Sequence, residues 1–165
     1  MSIMSVSISL PRSIFKEIEG RAWERGATIE YLIEALLRDS DPSASATVYL
    51  EGALQLLEQA EQELERGDLR QASEKIWGAC ALAIKAHALS KRGKRIESHR
   101  ELWSYKNEVA DEIGGWVRIT FKLADSMHKN FYEDLATRED VEDVLKDVEK
   151  LVKAVELSIK SRAGS

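Results

Sequence analysis

Apolar and polar positions follow one period in the first ten residues and another through the rest of the chain. From Met4 to Leu10 they alternate, with Val6, Ile8 and Leu10 on one side and Ser5, Ser7 and Ser9 on the other. A period of two is that of a half-buried strand, which Pro11 ends. Beyond it the apolar positions recur at three and four. Ile14, Phe15, Ile18, Ala22 and Trp23 predict a helix opened by Arg12 or Ser13 and closed by Gly26. Thr28 caps a second, with Ile29, Leu32, Ile33, Leu36 and Leu37 as its apolar face.

The polar stretch DSDPSASAT at 39–47 separates this unit from a longer periodic region. The division it predicts is a strand-helix-helix unit over 1–40, a linker at 41–47 and a helical bundle over 48–165. The first bundle helix runs from about Val48 to Arg66, with Leu50, Leu54, Leu57, Ala60 and Leu64 facing inward. Gly67 is suited to ending it in a left-handed conformation, and Asp68 to capping the next. That next helix, extending to about Lys91, carries Leu69, Ala72, Ile76, Cys80, Ala83 and His87 on one face. Gly78, Ala79, Ala81 and Ala86 add so little bulk that neighbouring helices can approach closely, as befits a central helix. A basic loop follows, and Ser98 caps a shorter helix with Leu102, Trp103, Tyr105 and Val109. After Gly114 and Gly115 a helix runs through Trp116, Ile119, Leu123, Met127 and Phe131. Thr137 caps the last, whose stripe is Val141, Val144, Leu145, Val148, Leu151, Val152 and Val155. The short loops predict an antiparallel bundle of four main helices and one short one, so the fold class is mainly α.

Composition narrows the reading. In 165 residues the net charge is −5, which argues against a surface that binds nucleic acid everywhere but leaves room for a local basic patch. The one cysteine, Cys80, lies on an apolar stripe and reads as a buried thiol. No run approaches the ~20 apolar residues of a membrane span, and no signal-peptide core is evident, so a cytoplasmic protein without a membrane partner is expected.

Candidate chemistry rests on three histidines and one basic segment. His87 reads as a core histidine and His99 as a residue at a helix start. His128 shares a helix face with Asp125, three residues before it, and Tyr132, four after, so that Asp125 could orient the imidazole. Lys91, Arg92, Lys94 and Arg95, with Lys85, Arg100 and Lys106 nearby, reverse the acidic balance of the chain and are suited to phosphate or RNA. No short His or Cys ligand spacing and no phosphate-cradling glycine loop occurs, so neither a metal nor a cofactor is expected.

Two resemblances add to this. SVSISLPRSIFKEIEGRAWERGATIEYLIEALLRD resembles the ribbon-helix-helix family, in which strands of two copies pair and the helices interlock. The resemblance implies a homodimer in which Ser5, Ser7 and Ser9 face the DNA major groove and Thr28 meets phosphate. Serines stand where lysine or arginine normally supplies affinity, and residues 1–40 hold five basic against six acidic side chains, so DNA binding would be weak. GDLRQASEKIWGACALAIKAHA, SHRELW and MHKNFYE, in that order, are similar to the archaeal PaREP1 family, a branch of the wider HEPN superfamily of helical bundles. That resemblance implies a bundle that often dimerises and whose relatives include RNA-cutting toxins and nucleotide-binding proteins. HEPN ribonucleases carry an arginine, four to six residues, then a histidine. His128 holds the late-helix position here, but the residue six before it is Lys122, roughly 120° away on an ideal helix. Arg92 and His99 meet the spacing formally.

The expected function is a homodimeric, non-catalytic module that binds RNA or a nucleotide through Lys91, Arg92, Lys94, Arg95, His99, His128 and Tyr132. One alternative is a metal-independent ribonuclease using His128 with Lys122. Another is a ribbon-helix-helix DNA-binding regulator or antitoxin-like protein.

Overall fold

The computed structural model describes residues 7, 9, 11–25 and 42–163. Six helices occupy them: α1 Arg12–Arg25, α2 Pro42–Arg66, α3 Leu69–Arg92, α4 His99–Ile113, α5 Trp116–Glu133 and α6 Arg138–Ala163. Among the described residues there is no strand. Ser7 and Ser9, which the expected strand would include, are exposed and outside any regular element, so the strand-led unit is corrected to a helix that begins after Pro11. A lone strand leaves its backbone donors and acceptors without partners, and no second strand is present among the described residues to supply them. The ribbon on which DNA contacts by Ser7 and Ser9 depended goes with it. Ser5, Thr28 and the second predicted helix lie outside the described residues.

α2 starts at Pro42 rather than near Val48. Proline suits a first helical position, where its missing N–H would be unpaired in any case. Its end is a Schellman turn: Gly67, at φ 80°, donates to the Leu64 carbonyl, and the Asp68 N–H donates to that of Glu63. Asp68 then caps α3 by accepting from the Gln71 N–H at 3.0 Å. Ser98 caps α4 in the same way through the Glu101 N–H, and Thr137 and Asp140 cap α6 reciprocally.

Every residue from Ile76 to Leu89 is buried, which makes α3 the enclosed helix its small residues predict. It touches each of α2, α4, α5 and α6. The closest approach is at Gly78, where a Cβ would stand 2.9 Å from Leu56 Cδ1, so α2 lies hard against α3. The predicted stripe of α6 is buried in full. α5 differs: Ile119 and Leu123 are exposed, and the core takes Val117, Phe121, Ala124 and Met127 instead. Both sets repeat at helical steps. Phe121 meets Trp77 edge-on at 5.6 Å, and that contact fixes which set turns inward.

The antiparallel expectation fails at α4. His99, at its start, packs on Trp77, and Glu112, near its end, bonds Lys91, so α4 runs in the same direction as α3. Gly93–Ser98 returns in extended form between them. Its six residues reach roughly 20 Å, close to the roughly 22 Å that α3 advances from Trp77 to Arg92. Buried Ile96 and an Arg95 Nη2 to Ser45 Oγ bond of 3.2 Å pin the return to the bundle.

At the α5–α6 turn, Asn130 is buried and joins three segments. Its Oδ1 accepts from the Leu135 and Ala136 N–H groups at 2.6 and 2.7 Å, and its Nδ2 donates to Ser73 Oγ on α3 at 2.9 Å. Asn130→Ala should cost about 2–3 kcal/mol in urea unfolding, because it orphans two backbone donors and removes the bond that the buried Ser73 oxygen accepts. Lys129→Ala, its exposed neighbour, should stay within about 0.5 kcal/mol of the parent.

Candidate functional site

Two histidine centres lie along α3, ten residues apart in sequence. The first surrounds Trp77, which is buried. The α4–α5 hairpin is antiparallel and carries His99 at one arm's start opposite Asp125 on the other, with Nε2 to Oδ1 at 3.2 Å. Trp103, one turn along α4, places its indole N–H 2.9 Å from the same Nε2. An indole N–H only donates, so a neutral His99 accepts from Trp103 at this nitrogen, and a protonated one donates to Asp125. α5 also carries His128, whose Nδ1 lies 3.0 Å from Glu74 Oε2 on α3. The carboxylate only accepts, which puts the proton on Nδ1 and makes Nε2 the basic nitrogen. Both imidazoles pack against Trp77, with ring centroids 5.4 and 5.7 Å from it. Tyr132, 53% exposed, stands edge-on to His128 at 5.6 Å.

The predicted residues are thus redistributed. His99, His128 and Tyr132 come together, but Asp125 pairs with His99 and leaves His128 to Glu74. Lys122 is exposed on an unbroken α5, next to Lys106 rather than His128. Lys91 and Arg92 belong to the second centre. Arg95 is tied to α2, and Lys94 is exposed on the return loop.

The second centre lies at the far end of α3 and is a closed polar network beside an open pocket of about 350 Å³. His87 Nε2 donates to Glu112 at 2.5 Å, and Tyr105 O–H donates to His87 Nδ1 at 2.9 Å. Glu112 also accepts from Lys91 at 3.1 Å and Ser158 Oγ at 2.8 Å, and Arg92 pairs with Glu108. Burial pushes the Glu112 carboxyl up, but the bonds from Lys91, Ser158 and His87 prevail and hold it down at about 2. Burial pushes the Tyr105 phenol up to about 12, and it lowers the His87 imidazole below its usual value against the pull of Glu112. A phenol that hard to ionise is no nucleophile, so this network joins α3, α4 and α6 structurally. Cys80 is buried and its thiol is pushed up by burial, which suits an inert side chain. Among the described residues no cluster of three or more His, Cys, Asp or Glu side chains is placed to hold a metal ion, and no helix is long and apolar enough to cross a membrane.

The sequence profile of the Archaeal PaREP1/PaREP8 family matches residues 48–152. The chain belongs to this family. The bundle is also similar to a crystal structure of a Sulfolobus solfataricus protein, at 27% identity and a TM-score of 0.59, over 66% of this chain and 96% of that one. No curated protein matches. Within the family profile fall Glu74, Trp77, His99, Trp103, Asp125, His128 and Tyr132, every residue of the first centre.

Because folded His87 resists protonation, the unfolded chain takes up a proton near pH 6.5 that the folded chain refuses. Stability should therefore fall as pH drops through 6.5, with a further loss from Glu112 between 4.5 and about 2. Urea midpoints across this range should show the decline, and His87→Gln should flatten its upper part.

Proposed function

We propose that this protein binds RNA or a nucleotide at the centre formed by His99, His128 and Tyr132 on a HEPN-like bundle. The observation that carries the reading is the convergence of two imidazoles, from α4 and α5, on Trp77, each held by its own carboxylate. A His99 that accepts at Nε2 keeps its Nδ1–H as a donor suited to a phosphate oxygen, His128 presents Nε2 as an acceptor, and exposed Tyr132 offers a ring on which a base can stack. Tyr132→Ala should weaken binding of uridine monophosphate and of a short uridine oligonucleotide about tenfold, in line with the ~1–3 kcal/mol of one base–aromatic stack. Equal affinity in parent and variant, measured by calorimetry, would sink this reading.

The carboxylate behind His128 favours a second reading, metal-independent RNA cleavage. Glu74 fixes the tautomer that presents Nε2 as a base, and His99, beside Asp125 and against the same Trp77 ring, is the group that would return a proton. Lys122 would contribute positive charge from the adjoining face and not a direct contact. Cleavage in chelator that vanishes in His128→Ala would establish it; equal background in both leaves the binding reading alone.

A further inference from the structure

The charged residues of α5 fall in one row. Arg118, Lys122, Asp125 and Lys129 succeed one another at steps of four, three and four, and the row continues to Tyr132. It extends roughly 16 Å from Arg118 to Lys129, longer than one phosphate can use. Asp125 within it is engaged by His99, and the helix ends on a second acid, Glu133, beside Tyr132. Arg118 is held against α4 by Asn107 and Asp111 at 3.0 and 2.7 Å, which stations it at the mouth of the α4–α5 groove. Among the described residues no carboxylate pairs with Lys122 or Lys129, and both are exposed.

A fourth cation lies beneath the row. Lys106 is buried with its Nζ 4.6 Å from the Trp103 ring centroid and 5.5 Å from that of Phe121, and it donates to the Trp103 carbonyl at 2.6 Å. Burial first, then repulsion from Lys122 and Arg118, lowers its pKa, so those two cations act on the same seam as Lys106. Of the acids of α4, one faces the row. Asp111 pairs with Arg118 alone, Glu108 and Glu112 turn to Arg92, Lys91 and His87 at the second centre, and Glu101 bonds the Glu97 N–H, which leaves Lys122 and Lys129 without an acid from α4.

We propose that the α4–α5 groove is a track for the phosphates of a single-stranded polynucleotide, which it leads to the centre at His99 and His128. This rests on the binding reading above and extends it from a nucleotide to a strand. The order of groups supports it: cations along the groove address the sugar-phosphate backbone, and the imidazoles and the Tyr132 ring at its end address a base. Duplex nucleic acid would keep its bases from that ring.

The test compares uridine monophosphate with a uridine oligonucleotide of about ten residues, ribo- and deoxyribo-, in chelator and over a series of salt concentrations. The proteins are the parent, Lys122→Gln/Lys129→Gln, and Lys146→Gln/Lys153→Gln, which removes the same charge from α6. The oligonucleotide should bind the parent far more tightly than the mononucleotide. The α5 variant should lose about 1.4 from the slope of log affinity against log salt, at about 0.7 per phosphate contact, with little change for the mononucleotide. The α6 variant should behave as the parent. A slope unchanged in the α5 variant, or lowered equally by the α6 variant, overturns the track, while binding that still requires Tyr132 leaves the centre standing. No binding of either ligand overturns both. Equal ribo- and deoxyribo-oligonucleotide affinity fits a backbone track, and a ribose-only response would overturn it in favour of recognition through the 2′-hydroxyl.

Discussion

Enclosure of α3 is the constraint on which the rest depends. Fourteen consecutive buried residues leave this helix no solvent-facing side, so each polar group it carries must find a partner inside the protein. Ser73 finds Asn130, and His87 finds Tyr105 and Glu112. Asn130 belongs to α5, Tyr105 and Glu112 belong to α4, and Lys91 Nζ reaches the Ser158 carbonyl of α6 at 3.1 Å. The polar bonds of α3 therefore set the register of α4, α5 and α6 where apolar packing alone would tolerate slippage.

The two histidine centres show one residue type in opposite settings. His87 is sealed, with both nitrogens occupied by a carboxylate and a phenol, and its protonation opposes folding. His99 and His128 sit where α3 loses its cover, half open to solvent, each with a carboxylate on one nitrogen. The difference follows from where α4 crosses α3. At its start the helix brings a partly exposed imidazole to the edge of Trp77, and by Tyr105 it has sunk fully into the interface.

Much of this was legible in the residues. The Gly67–Asp68 junction, the Ser98 and Thr137 caps and the α6 stripe are local signals, and local bonding decides them. The family's motifs likewise lie in the part of the chain that folds as the bundle. Elements that depend on distant partners were not legible. Alternation at Val6, Ile8 and Leu10 has the period of a strand, yet a strand exists only when another pairs with it. α5 has two apolar faces of helical spacing, and only the position of Trp77, over forty residues away, turns Phe121 inward and Ile119 outward. The direction of α4 depends on how far an extended loop can travel, which its length permits but does not dictate. Glu74 was invisible as a partner of His128 because 54 residues separate them, and Asp125, one turn away on the same helix, was the plausible choice.

The connection through Gly93–Ser98 also shapes how the site comes into being. Since α4 and α5 are joined by a tight turn, His99 and Asp125 meet within a single hairpin, at modest sequence separation. His128 meets Glu74 only when that hairpin docks on α3. Half of the centre is thus assembled by a local step and half by a long-range one. Partial undocking of the hairpin would separate the two imidazoles from Trp77 and Glu74 while leaving α2, α3 and α6 packed, so the integrity of the site and that of the core are separable quantities.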